Sequence, residues 1–182
     1  MKAWPALFAL ACVGCSASQT SYLPLKMGSK WSYAVKGDFD TTVEDMSVVG
    51  RVPVGPQDGY EIQGHTGTTR LAWAGDRLLA SELAGQWFDP PVPLISGGKT
   101  SWKGTLETAG RKSEAAATLT QSTAKLKFAG RDQDTLRTDL TLVTRGQTIK
   151  LSTWFVKGIG VLKQEQRTGN KRDRLIEYLS GP

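Results

Sequence analysis

Few residues of this chain have both the type and the surroundings to do chemistry. There is one histidine, His65, between Gly64 and Thr66. A serine or cysteine nucleophile activated by imidazole would rest on it alone, and a histidine-based metal site would lack a second ring. Its glycine and threonine neighbours place it at a strand end or turn, so a solvated histidine is expected. Both cysteines, Cys12 and Cys15, fall within the first fifteen residues. The rest of the chain therefore has no thiolate nucleophile, disulfide or cysteine-ligated metal. Asp38, Asp40, Glu44 and Asp45 offer oxygen ligands suited to Ca²⁺, without the glycine turn and closing bidentate glutamate of a calcium loop. They read instead as solvated loop and strand charges. Glu61 and Asp139 are carboxylates that an acid–base hydrolase would use, yet no motif assigns a nucleophile, a base and an orienting group. There is no Gly-x-Ser-x-Gly, phosphate-cradling loop or dinucleotide fingerprint; Gly158-Ile159-Gly160 is too short a match and sits between two strand-like segments. No catalytic residue is assigned, the chain is not expected to be an enzyme, and no cofactor or metal is expected.

The elements that would position any site are extended ones. Beyond residue 22, segments of 5–9 residues with alternating apolar positions recur, broken by Gly, Asp-Gly or Gly-Asp. Trp31, Tyr33 and Val35 share one face of a first strand. Leu136, Leu140 and Leu142 share another, and Ile149, Leu151, Thr153 and Phe155 a third. Thr68–Ala74 and Arg77–Leu83 flank the turn pair Gly75-Asp76. Leu71, Ala74, Leu78, Leu79 and Leu83 also fit helical spacing, a reading weakened by Gly75 and Gly85, each costing a helix about 1 kcal/mol. The pattern predicts an all-β antiparallel meander of about ten to eleven strands, forming a curved sheet or half-barrel.

With 182 residues the chain suits a single domain, and 39% apolar with 22% charged residues is an ordinary globular composition. No apolar run reaches the roughly 20 residues of a spanning helix. Pro24-Leu25 through Trp31 resembles Pro93-Leu94 through Trp102: a Pro-Leu, a glycine turn, a lysine, then a tryptophan entering a strand. Between these halves Asp89-Pro90-Pro91-Val92-Pro93 reads as a stiff connector of two β lobes. Trp87-Phe88 and Trp154-Phe155 are adjacent aromatics whose side chains must point to opposite faces of a strand. The net charge is +6. Its dense spots, Arg111-Lys112 and Lys171-Arg172-Asp173-Arg174, lie at expected turns. They suit protection of β edges from aggregation better than contact with anionic lipid headgroups.

The N-terminus carries an address. Met1-Lys2 supplies one positive charge, Ala3 to Gly14 carries none, and Cys15 precedes the polar run 16–21. A basic head, about 7–15 apolar residues and a small residue before the cut describe a secretory signal peptide. The cysteine after Val13-Gly14 is similar to that of a bacterial lipoprotein signal. That resemblance implies removal of residues 1–14, palmitate-type acylation of Cys15, and a tether over 15–22 carrying a single β domain over 23–182. Cys12, after a shorter apolar stretch, is an alternative anchor, and an ordinary signal peptide cut near Ser16–Ser18 is another. Ser16 resembles the outer-membrane sorting pattern. Nucleic acid is not expected as a partner of an exported chain.

Tyr22-Leu23-Pro24-Leu25-Lys26-Met27-Gly28-Ser29-Lys30-Trp31-Ser32-Tyr33 and Trp154-Phe155-Val156-Lys157-Gly158-Ile159-Gly160-Val161-Leu162-Lys163 resemble the two ends of a diffuse group of bacterial secreted proteins and lipoproteins. That group pairs Tyr-x-Pro-Leu-x-x-Gly-x-x-Trp-x-Tyr with Trp-Phe-x-x-Gly-x-Gly-x-x-Lys. The resemblance spans about residues 22–180 and implies an envelope location and an all-β sheet, with no catalytic residues. A looser likeness is to envelope lipoprotein carriers with a half-barrel plugged by helices, which are not evident here. Together these readings lead to a membrane-anchored, non-catalytic binding or structural module. Its expected partners are the membrane, a hydrophobic ligand or another envelope protein. Mass spectrometry of the protein from its native membranes should find residues 1–14 removed and Cys15 acylated; an unmodified N-terminus beyond residue 15 would refute the anchor.

Overall fold

The computed structural model describes residues 22–37 and 40–181. Residues 1–14, Cys15 and most of the tether lie outside the described residues. All of the regular structure among the described residues is β: β1 (Lys30–Lys36), β2 (Thr41–Val54), β3 (Gln57–Gly64), β4 (Gly67–Ala74), β5 (Arg77–Leu83), β6 (Gln86–Ile95), β7 (Thr100–Thr108), β8 (Arg111–Phe128), β9 (Arg131–Thr144), β10 (Gln147–Val156), β11 (Gly160–Thr168) and β12 (Lys171–Ser180). Each strand pairs antiparallel with the next, and β1 pairs with β12 through Tyr33↔Tyr178 and Val35↔Ile176. The expected meander is present, and its curvature runs through to a closed barrel of twelve strands.

Alternation explains which residues form the interior. Trp31, Tyr33 and Val35 of β1 are buried, as are Ala115, Ala117 and Leu119 of β8 and Leu140 and Leu142 of β9. These inward rows meet in one core that also takes in Leu71, Leu78, Phe88 and Phe155. The helical alternative over residues 71–83 fails, because Gly75-Asp76 turns β4 back into β5 with Trp73 opposite Leu78. Gly75 sits at φ 65°, a conformation that glycine adopts without the steric cost of a side chain.

The connector expected at 89–93 is a strand instead: β6 runs through Pro90, Pro91 and Pro93. It is tolerated because the prolines are asked for few ladder bonds. The pairing of β6 with β7 stops at Asp89, while Val92 and Pro93 lie opposite Ala80 and Leu79 of β5. Trp102 fills the place where β6 leaves β7. Its indole Nε1 donates to the Pro90 carbonyl at 2.9 Å, and its ring meets Phe88 edge-on at 6.0 Å. Gly104 is a glycine for the same reason: a Cβ there would strike the Asp89 carbonyl and the Trp102 ring. The barrel is therefore continuous across the position where two lobes were expected to join.

The up-and-down order sorts the turns into two ends. One end carries residues 22–29 and the turns around 55, 75, 97, 129 and 158, together with the end of β12. It is plugged. Leu23 and Trp31 are buried there, the Trp31 indole donates to the Ile159 carbonyl at 2.9 Å, and the Trp73 indole donates to the Leu23 carbonyl at 3.1 Å. Gly160 leaves room for this plug, since a Cβ on it would lie 3.1 Å from Leu23 and 3.2 Å from the Trp31 nitrogen. Trp31→Ala and Trp102→Ala should each lower stability by about 3–5 kcal/mol in urea denaturation; effects near zero would mean that neither tryptophan holds its end of the sheet.

Candidate ligand cavity

The barrel interior is not filled by its own side chains. A cavity of about 500 Å³ runs through it, within the range of roughly 300–1,000 Å³ typical of small-molecule pockets. Its floor is Leu23 and Trp31 at the plugged end. Its wall is apolar, with Ile62, Leu71, Leu140, Leu142, Leu151 and Ile176 among the lining residues. At the far end the lining includes Thr66, Gly67 and Ala84, which are exposed residues of the β3–β4 and β5–β6 turns. The cavity is thus a cup, closed where the chain enters and open where the other turns gather.

The mouth is polar. Gln86, Gln166, Asp173 and Arg174 join the lining there, while Gln164 interrupts the wall midway along β11 and donates to Thr153 at 3.1 Å. Glu44 is only 2% exposed, because it occupies an inward position of β2 in line with Met46 and Val48. Arg174 lies on the inward face of β12 and reaches past β1 to the Glu44 carboxylate at 2.5 Å. Thr66 completes the group: its backbone N–H and hydroxyl donate to the second Glu44 oxygen at 3.0 and 2.7 Å, and its hydroxyl accepts from Arg174 at 3.0 Å. Gly64 has no side chain because Glu44 stands 2.6 Å from where its Cβ would be. This group ties β12, β2 and the β3–β4 turn together across the rim.

The acids expected as a solvated cluster therefore part company. Glu44 points into the barrel and is buried, Asp45 points outward and accepts from Ser32 at 2.5 Å, and Asp38 lies outside the described residues. The solvated reading fails for Glu44 because strand alternation turns its side chain inward. No group of three or more potential metal ligands forms among the described residues. His65 is an exposed residue of the β3–β4 turn, as expected.

Glu61 and Asp139 cannot act together as acid and base. They stand on β3 and β9, six strands apart around the barrel, and both point outward. Each is engaged locally: Asp139 accepts from Arg137 at 2.9 Å and from Ser152 at 2.6 Å. Glu61 shares Arg70 with Glu82 in a row across β3, β4 and β5, at 3.0 and 3.3 Å. Burial pushes the Glu82 carboxyl up; Arg70 opposes that shift and Glu61 adds to it.

The two aromatic pairs divide as strand geometry requires. Phe88 and Phe155 are buried inside. Trp87 and Trp154 lie outside under cations: Arg70 is 4.6 Å from the Trp87 ring centre, and Arg137 and Lys163 are 5.0 and 5.2 Å from that of Trp154. A shallow outer groove beside Trp87 includes Asp89, Glu107 and Lys112. The Glu44–Thr66–Arg174 group went unseen in the sequence. Its signal was there, in two charges that share strand parity with apolar neighbours: Glu44 with Met46, and Arg174 with Ile176.

No protein-family model and no curated protein sequence matches the chain. Among solved structures, it is similar to a candidate lipoprotein from Parabacteroides distasonis, at 8% identity and a TM-score of 0.60, over 89% of this chain and 98% of that one. It also overlaps a candidate exported protein with a YmcC-like fold from Bacteroides fragilis, at 12% identity and a TM-score of 0.49, over 88% and 98% of the two chains. The hypothetical lipoprotein YmcC from Escherichia coli overlaps at 12% identity and a TM-score of 0.42, over 86% and 89%. Replacing Glu44 by Gln should cost about 3 kcal/mol in urea denaturation, since it leaves the Arg174 guanidinium beside the rim without its carboxylate; a change under 0.5 kcal/mol would show that the group does not hold the mouth. The Parabacteroides structure shows that this chain shares its fold.

Proposed function

We propose that the chain is an exported envelope lipoprotein, anchored through Cys15, whose barrel holds one apolar or amphiphilic molecule without transforming it. The observation that carries this reading is the apolar cup of about 500 Å³, plugged at the end where the tether enters and open at the other. The apolar wall would take a hydrocarbon body, and the glutamines and Asp173 at the mouth would meet a polar end. The signal-like layout of residues 1–15 supports export and anchoring, as does the likeness of both chain ends to bacterial secreted proteins and lipoproteins. So does the fold shared with a chain described as a candidate lipoprotein. The Ser16 pattern favours the outer membrane. The separation of Glu61 from Asp139 weighs against the carboxylate hydrolase.

Residues 22–181 contain every strand of the closed barrel together with its plug, so a chain starting at Ser16 carries the whole fold. Native mass spectrometry of that chain should show a co-purified apolar molecule, or uptake of the probe N-phenyl-1-naphthylamine. Leu151→Trp, which places an indole in the lumen, should abolish uptake while the thermal transition is kept. A chain that takes up no probe, or a Leu151→Trp variant that binds as well as the parent, would overturn the reading and leave a protein partner or a structural role.

A further inference from the structure

Part of the basic surface lies within paired strands rather than on the turns where cations would protect β edges. Cations on turns protect free β edges, but Lys150 is paired to Thr141 on one side and to Arg167 on the other, and Arg167 is paired to both Lys150 and Arg172. Neither guards an edge. The three cations instead stand directly opposite one another across β10, β11 and β12, an arrangement in which like charges repel. Arg145 stands in the β9–β10 turn at the same end, and all four are exposed. Two acids stand beside them: Glu165, 2.6 Å from Arg167, and Asp173, next to Arg172 and held by the Thr168 hydroxyl. Next to Arg145, Val143 leaves 48% of its surface in solvent. The order of the strands puts this face at the open end of the barrel, beside the mouth of the cavity.

We propose that this face docks the open end of the barrel onto a lipid bilayer rich in acidic headgroups that faces the mouth, distinct from the bilayer holding Cys15, since the chain enters at the plugged end. Anionic headgroups relieve the repulsion within the Lys150–Arg167–Arg172 row, and each cation near such a surface adds attraction. Val143 is positioned to meet the interfacial region beside them. The choice of a bilayer over a soluble polyanion rests on the cavity reading above. An apolar molecule exchanges with a cup most directly when the mouth meets the lipid phase, because no part of it then crosses water.

Co-sedimentation of the chain starting at Ser16 with vesicles tests this. Binding is expected to vesicles of phosphatidylcholine with 30% phosphatidylglycerol at low salt, to weaken at least tenfold at 0.5 M NaCl, and to be absent with phosphatidylcholine alone. Lys150→Glu, Arg167→Glu and Arg172→Glu together should lower it at least tenfold. Should circular dichroism show that variant unfolded, the corresponding glutamine variant is expected to do the same. Lys26→Glu, Lys30→Glu and Lys99→Glu, an equal charge change at the plugged end, should leave binding within twofold. Leu151→Trp should bind vesicles as the parent does, so that loss of the lumen and loss of docking are read separately. Equal binding to both kinds of vesicle, equal loss in the control, or binding to soluble polyphosphate without binding to vesicles would overturn the proposal.

Discussion

The closing ladder between β1 and β12 is the contact on which the rest of the molecule depends. A meander of this length could remain an open, curved sheet with one exposed face and two unpaired edges. Pairing Tyr33 with Tyr178 and Val35 with Ile176 removes both edges and turns one face of every strand inward. A barrel of about eight strands is just filled by its own side chains. Twelve strands enclose more than leucines and valines can fill. The cavity is thus the geometric consequence of strand number rather than a defect of packing.

The two ends meet this excess volume differently. At one end Trp31 and Trp73 are spent on the plug, and each, like Trp102 beside β6, finds a backbone carbonyl for the indole N–H. That satisfies the one polar atom of each ring and lets it sit among apolar neighbours. At the other end no aromatic among the described residues closes the barrel. The rim is instead held by a buried ion pair, Glu44 with Arg174, with Thr66 occupying the remaining lone pairs. An ion pair is a costly way to hold a core unless its hydrogen bonds are complete. It is, however, compatible with an opening where water and a ligand's polar end must both be met. The plug makes a floor and the ion pair makes a doorway.

The outer surface follows a separate logic. Its aromatics, Trp87 and Trp154, are capped by guanidinium and ammonium groups, so they present less bare ring to solvent. Several of its carboxylates are matched to arginines, Glu61 and Glu82 across neighbouring strands and Asp139 and Glu165 along a single strand. The row of Lys150, Arg167 and Arg172 sets like charges opposite one another at the same end as the mouth, where the polar rim and the exposed cations become neighbours.

Alternation along each segment determined the class of fold, because period-two burial leaves a direct mark on residues such as Trp31, Tyr33 and Val35. Turn pairs such as Gly75-Asp76 were equally legible, since their backbone conformation constrains residue type. The position of the cysteines bounded the chemistry by itself. Other features were decided only by the tertiary structure. Whether the curved sheet closes depends on the accumulated twist and stagger of twelve strands, a sum that no single segment displays. The proline-rich stretch at 90–93 became a strand because Trp102, from the neighbouring hairpin, replaced the missing ladder. Glu44, Thr66 and Arg174 are separated by up to 130 residues in sequence, and only closure brings β12 beside β1 and within reach of β2. Local pattern records which face a residue takes; the identity of the groups it meets there depends on ring closure, which is a property of the whole chain.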